Sequence, residues 1–398
     1  MERTKQIEGR RKRKLLIVAG VILTLLQGVT GWAEACRSLR VALYPYVPDQ
    51  ARFQRAIEAV WNVRHTGVKL DFVSWDCYQE DPPAYLDVFV YDGILLHDFL
   101  EKGYLSPLAE EDIQDVDDFI PCAISACRVD GIAYALPQML CTNLLFSRKD
   151  DAAISNVRNI YQLYQAIGSI GGDGIPPAEG EGLLLSLPSA ISKAFWVLET
   201  WIDEEQAYSE WVTFPDAEAL DGSIMSCLQM LRDMAGDGQL SYVSPDGNTY
   251  IRGAWFAQGR GRAFIGFSET MSDMGDAAED MVFHRISLSD QEDIPMLYAD
   301  IASVNARISD DRRPLAVELV NVITDAQAMV ASLAAGEEGQ NPQYLLSARS
   351  SVYDVLAKDY PIYGDLKEIA SDPNCRVFIV RPGSRALVEQ AEEMIPLL

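Results

Sequence analysis

Apolar and polar positions fall along the chain in blocks that alternate between a strand period and a helix period. "LRVALYPYVPD" runs apolar from Leu39 and then opens into tyrosines and prolines, which predicts a strand entering a loop. In "DQARFQRAIEAVWNV" the residues Phe53, Ile57, Val60 and Trp61 recur on one helical face, and Asp49 is placed to cap it. "VKLDFVSW" and "LDVFVYD" predict two more strands, the second apolar on both faces, and "GILLHDFLEKG" predicts a helix closed by Gly103. The order strand, helix, strand, strand, helix indicates an α/β layer with a mostly parallel sheet.

"GIAYALPQMLCTNLLFSRKD" then reads as a long extended segment that crosses out of that layer. "NIYQLYQAI", "SAISKAFWVLETWI" and "SIMSCLQMLRDMA" have helical spacing. Gly168 to Gly182, rich in glycine and proline, predicts a surface loop. "GRAFIGFSETM" predicts a strand, a tight turn and a helix start, and "IPMLYADIASVNA" a second strand crossing. "RRPLAVELVNVITDAQAMVASLA" predicts one long helix, and "CRVFIVRP" closes the pattern. Two α/β lobes joined by extended crossings make a clamshell, with ligand expected in the cleft at the carboxyl ends of strands. The expected division is a leader at 1–35, a first lobe of 36–140 plus about 270–335, and a second of 141–269 plus about 336–398.

The loops after the strands share a composition. Tyr44, Tyr46, Trp75, Tyr78, Phe267 and Tyr298 are interspersed with Asp49, Asp76, Asp92, Glu269 and Asp300. An acidic, aromatic cleft suits a flat, cationic ligand with hydrogen-bonding groups. Taken singly, each aromatic reads equally well as a core or surface cap.

Composition and charge narrow the function classes. The first residues carry a basic run, Arg10 to Lys14, then the apolar "LLIVAGVILTLL" and the small-residue "AEA" before Cys36. This is the pattern of a secretory signal peptide, and the apolar run is too short to span a bilayer. Cys36 also allows a lipid anchor, although Glu34 fits that motif poorly. The leader has seven Lys/Arg against three Asp/Glu, a surplus of +4, so the remainder carries about −30 against −26 for the whole chain. Such acidity argues against nucleic-acid binding. No later segment is apolar enough to span a membrane.

The three histidines, His65, His97 and His284, form no sequence cluster, and no pair of the seven cysteines has metal-site spacing. A histidine-assisted serine or cysteine mechanism is therefore not expected. There is no Walker A loop and no HExxH, and "GRGRAFIG" lacks dinucleotide spacing. "GFSET" lacks the last glycine of a nucleophile elbow, so Ser268 is not assigned as a nucleophile.

Cys141 remains. A cysteine beside a leucine-rich strand is most often buried and inert. To attack at neutral pH it needs a base, and a desolvated carboxylate can serve. Glu269 is the candidate because it starts a helix directly after an apolar strand. The plainer role for such a glutamate is to complement the helix dipole.

The blocks "VALYPYVPDQARFQ", "DPPAYLDVFVYD", "YALPQMLCTNLLFSRK", "WFAQGRGRAFIGFSETM" and "DIPMLYADIASVN" resemble thiaminase I, also called thiamine pyridinylase. The resemblance is collinear from about Leu39 to the end of the chain. It implies a secreted monomer with the two-lobed fold of a type II periplasmic binding protein. It implies that Cys141 in "LPQMLCTN" is the nucleophile and Glu269 in "GFSE" its base. The family's aromatic pocket positions fall on Tyr44, Tyr78, Tyr250 and Tyr298, and its acidic contacts to the aminopyrimidine on Asp92 and Asp300. The family usually has tyrosine where this chain has Phe267, so a hydroxyl near the base is lost while a ring surface is kept. The reaction implied is displacement of the thiazole of thiamine by a pyridine, an aniline or a thiol, with no metal or organic cofactor.

Two other readings fit the same composition. A solute-binding protein for thiamine would need the aromatic and acidic cleft but not both Cys141 and Glu269. A cysteine transferase or hydrolase acting on another pyrimidine would use both, and Phe267 leaves that choice open.

Overall fold

The computed structural model describes residues 38–379, apart from 171–173, 186–189, 207–221, 241, 246, 337 and 338. The expected leader, Cys36 and the residues after 379 lie outside the described residues.

The described strands are β1 Ser38–Ala42, β2 Lys69–Phe72, β3 Val88–Asp92, β4 Arg128–Val129, β5 Ile132–Ala133, β6 Leu136–Cys141, β7 Asn143–Arg148, β8 Glu179–Leu185, β9 Gly261–Phe267, β10 Met281–His284, β11 Met296–Val304, β12 Leu346–Ser347 and β13 Arg376–Val377. They form two main sheets. The larger has the order β12-β6-β11-β3-β1-β2, with β13 also on β11, and the smaller has the order β10-β7-β9-β8. Each β3 and β11 residue is buried, as continuous apolar runs require of strands covered on both faces. The acidic interruptions in those runs are Asp92 and Asp300.

The helix Gln50–Arg64 begins where expected. The Asp49 carboxylate accepts from the Arg52 amide at 3.0 Å, and Phe53, Ile57 and Trp61 are buried against the sheet. The extended crossing is also found: β6 ends at Cys141 in the larger sheet and β7 begins at Asn143 in the smaller.

Four expectations are corrected. The larger sheet is mixed: β1 is parallel to β2 and β3, but β11 is antiparallel to both β3 and β6. The segment 336–398 was expected in the second lobe, yet β12 and β13 join the larger sheet through β6 and β11. Conversely β10, at 281–284, pairs with β7 in the smaller sheet, so the second lobe extends past 269. Edge strands of two residues carry too little pattern to reveal their sheet. The stretch Gly168–Gly182 is not wholly loop, because β8 starts at Glu179. The long helix is two, Arg313–Ile323 and Ala326–Leu333, bent by 48°. Asp325 breaks it by accepting from the Gln327 amide at 2.7 Å, as an N-cap does. Among the described residues no single helix is long and apolar enough to cross a membrane.

Candidate active site

Strand register builds the floor of the cleft. Tyr298 on β11 is the cross-strand partner of Cys141 on β6, and Asp300 is the partner of Asp92 on β3. Directly opposite residues of an antiparallel pair project from the same face, so these side chains meet where β3, β11 and β6 run side by side. On the other sheet Phe267 is the partner of Asn143. The chain then turns into the short 3₁₀ helix Ser268–Asp273, which carries Glu269. Gly253 lets the neighbouring helix Ile251–Ala257 pack on that turn, because a Cβ there would lie 2.3 Å from the Thr270 side chain.

Glu269 is 4% exposed, and its Oε2 is buried without a hydrogen-bond partner. Burial pushes its carboxyl up to about 7. A carboxyl in that state is part protonated and part ionised at neutral pH and can take or give a proton. The Cys141 thiol is pushed well above its ordinary value, first by burial and then by Glu269, Asp300, Asp92 and Glu199. The resting cysteine is therefore a neutral thiol. Among the described residues no histidine touches it, and the charges that bear on it are all carboxylates.

The acidic wall holds a hydroxyl relay. Tyr44 and Tyr78 share a hydrogen bond of 3.1 Å, and the Tyr78 hydroxyl donates to Asp92 Oδ2. The other Asp92 oxygen accepts from the Ile94 amide at 3.0 Å. Burial pushes Asp92 up to about 6, against the lowering effect of both donors. Asp300 is pushed well above its ordinary range by burial, then by Asp92 and Glu269. Two carboxyls this close do not both ionise readily, so an ionised Asp92 raises Asp300 further. Asp300 is the member better suited to donate a hydrogen bond and Asp92 the one better suited to accept.

Tyr250 stands at the start of its helix. Its hydroxyl donates to the Tyr46 carbonyl at 3.2 Å, linking the two lobes across the cleft, and Glu269 and Cys141 both bear on it. The Tyr298 ring stacks on Phe195 at 4.0 Å and meets Phe267 edge-on at 6.1 Å. All nine expected site residues thus belong to one connected cluster. Two of the wider set do not: Trp75 is core, packed edge-on against Phe89, and Asp49 caps a helix.

One acid of the cluster was not foreseen. Glu199 Oε1 accepts from the Tyr298 hydroxyl and, at 2.8 Å, from the Asn143 side chain. Burial pushes it up to about 7. The signal in the sequence is faint: Phe195 and Glu199 lie four apart on one helical face, and both touch Tyr298.

Thiaminase-1 of Paenibacillus thiaminolyticus is 42% identical over 396 residues, covering 98% of this chain and 96% of that protein. The chain belongs to the thiaminase I family. Residues 142–289 match the Thiaminase-1 domain, which begins one residue after Cys141 and includes Glu269. The structure superposes on Clostridium botulinum thiaminase I in complex with thiamin with a TM-score of 0.88, at 42% identity over 90% of this chain and 99% of that one. The fold is shared more widely. An ABC transporter solute-binding protein from Thermotoga lettingae, bound with tagatose, superposes with a TM-score of 0.65 at 14% identity, covering 91% of this chain and 95% of that chain. The architecture is therefore the two-lobed fold of type II periplasmic binding proteins, as expected.

Proposed function

We propose that this protein degrades thiamine by base exchange, with Cys141 as a covalent nucleophile and Glu269 as its base. One observation carries the reading. An unpartnered, buried carboxylate oxygen belongs to Glu269, whose charge bears on a cysteine that needs a proton acceptor, at the point where the two sheets meet. A solute-binding protein has no use for that pair, and an orphaned buried acceptor is costly unless something occupies it during function.

Thiamine joins a cationic thiazolium through a methylene to an aminopyrimidine. Asp92 and Asp300 hold the pyrimidine, one accepting from its amino group and one protonating or donating to its ring nitrogen. Tyr44 and Tyr78 hold Asp92 in place. Glu269 takes the Cys141 proton, and the thiolate forms a bond to the pyrimidine carbon next to that ring nitrogen, whose π electrons move onto the nitrogen. Those electrons then return through the ring and break the methylene–nitrogen bond, and the thiazole leaves neutral with the bonding pair. An incoming pyridine, aniline or thiol adds to the methylene. Collapse of the adduct expels Cys141 as a thiolate, which recovers its proton from Glu269. One difficult displacement becomes two easier additions and eliminations.

The family membership and the thiamin complex of a relative with 42% identity support the choice of substrate. All the groups used come from one chain, which fits action as a monomer. The leader pattern of residues 1–35 supports export, and the N-terminal sequence of protein recovered from culture medium checks it. The activity itself is tested by incubating purified protein with thiamine and pyridine. Free thiazole and the pyridine-exchanged pyrimidine are expected by mass spectrometry. Thiamine recovered intact would favour the binding-protein reading, and cleavage of another pyrimidine alone would favour the second alternative.

A further inference from the structure

Glu199 stands apart from the residues that the mechanism uses. Its Oε1 accepts two hydrogen bonds whose donors belong to different sheets: the Tyr298 hydroxyl from β11 and the Asn143 amide from β7. Tyr298 is the cross-strand partner of Cys141. Asn143 is the partner of Phe267, two residues before Glu269. The carboxylate therefore bridges the larger sheet, which carries the thiol, and the smaller sheet, which carries the base, at the Cys141–Thr142–Asn143 crossing. The same helix, Ala190–Glu205, also clamps the return crossing, where Asp203 accepts from the Leu288 amide at 2.7 Å and the Ile294 amide at 2.9 Å.

We infer that Glu199 is a positioning residue for the reaction: by holding Tyr298 and Asn143 on one oxygen, it fixes Cys141 relative to Glu269 across the junction of the two lobes. The inference rests on the thiaminase reading for its effect on turnover, but the link from Glu199 to Cys141 stands on geometry alone. Both partners are donors, so a glutamine carbonyl at 199 can replace the acceptor, whereas alanine cannot. A misplacement of reacting groups by about 1 Å can cost on the order of 10²-fold in rate. Glu199 also adds its charge to those of Glu269, Asp300 and Asp92 around the Cys141 thiol. Asp293, and Asp203 on the same helix as Glu199, are the acids facing the Glu199 side.

The test uses the full-length protein and its Glu199→Gln, Glu199→Ala, Tyr298→Phe and Glu199→Ala/Tyr298→Phe variants. Two readouts are taken: kcat and KM for thiamine with pyridine, and the pH profile of Cys141 alkylation by iodoacetamide without ligand, followed on the Cys141 peptide. In Glu199→Ala, kcat is expected to fall on the order of 10²-fold with KM changed a few-fold at most, and Glu199→Gln should recover most of that loss. The double variant should be little worse than the worse single. In both Glu199 variants the alkylation midpoint should move to lower pH, because a negative charge near the thiol is gone. Wild-type kcat in Glu199→Ala, additive losses with Tyr298→Phe, or an unmoved alkylation profile would each overturn the inference. If Glu199→Ala does not fold, the kcat of Glu199→Gln decides the point: a rate close to the parent's is expected because the acceptor is kept, and a loss on the order of 10²-fold would overturn the inference. A wild-type protein that leaves thiamine intact would sink the functional reading, while the alkylation profile would still report on Glu199.

Discussion

Asp92 and Asp300 face each other directly across β3 and β11, two buried carboxyls on one face of a sheet. Nothing in folding favours that placement. Opposed like charges destabilise a strand pair, and each carboxyl is raised by burial before any neighbour acts. In the proposed mechanism that cost serves function: a proton retained by the pair gives the cleft one donor and one acceptor for a heterocycle edge.

This relationship sets a stability prediction. Folding raises the proton affinity of Asp92, Asp300, Glu269 and Glu199 above that of the unfolded chain. Their contribution to stability is therefore full below the ordinary carboxylate range. It is lost as pH climbs through the folded values, about 6 for Asp92 and about 7 for Glu269 and Glu199. Asp300→Asn removes one of the opposed carboxyls. Its Tm at pH 8 should exceed that of the parent by roughly 1–3 °C, with a smaller gap at pH 5, while thiamine turnover falls sharply. Calorimetry across that pH range checks this, and a variant less stable than the parent at pH 8 would count against the shared-proton picture.

In the proposed mechanism Glu269 sets the acid limb of the rate: its carboxyl must be ionised to accept the Cys141 proton, and burial pushes it up to about 7. The plot of kcat/KM against pH should therefore rise with single-proton dependence and a midpoint near that value. Glu269→Gln should abolish that limb and lower the rate by roughly 10²–10⁴-fold. Because thiol and base act as a unit, adding Cys141→Ser to Glu269→Gln should do little more harm than the worse single change.

Phe267→Tyr should be tolerated, with activity within a few-fold of the parent. Phe267 is half-buried and meets Tyr298 edge-on, at the mouth of the turn to Glu269. A cleft wall adjusts to an added hydroxyl more easily than a close-packed core, where overpacking costs about 1–3 kcal/mol. Steady-state rates with thiamine and with pyrimidine analogues check the point. If tyrosine abolished thiamine cleavage while phenylalanine supported it, the pocket would be shaped for a different heterocycle.

Much of the site was legible because strand ends announce themselves. "LDVFVYD" is an apolar run that stops at an acid, and Asp92 does end β3 in the cleft, whereas "IPMLYAD" was expected to end in a loop and instead β11 runs on through Tyr298 and Asp300 to Val304. Cys141 and Glu269 likewise follow apolar strands, although only the family resemblance raised them above a core thiol and a helix-start acid. The register that opposes Asp92 to Asp300 was not legible, since pairing between strands about 200 residues apart leaves no local trace. Glu199 was hidden for a related reason. Its partners lie on two strands of different sheets, β11 and β7, and within its own helix it reads as one acid on an apolar face. The C-terminal strands failed differently: β12 and β13 have two residues each, so β11 and β6 dictate their sheet rather than any period of their own.

The covalent step is the central claim, and rapid quenching followed by mass spectrometry tests it most directly. Full-length protein is mixed with thiamine in the absence of added base, quenched in acid, and digested. The account predicts a mass gain equal to the aminopyrimidine with its methylene on the peptide containing Cys141, with release of free thiazole. The gain should disappear when pyridine is added in excess, and it should not form in Cys141→Ser. Thiazole release at the parental rate by Cys141→Ser, with no modified peptide in either protein, would contradict it.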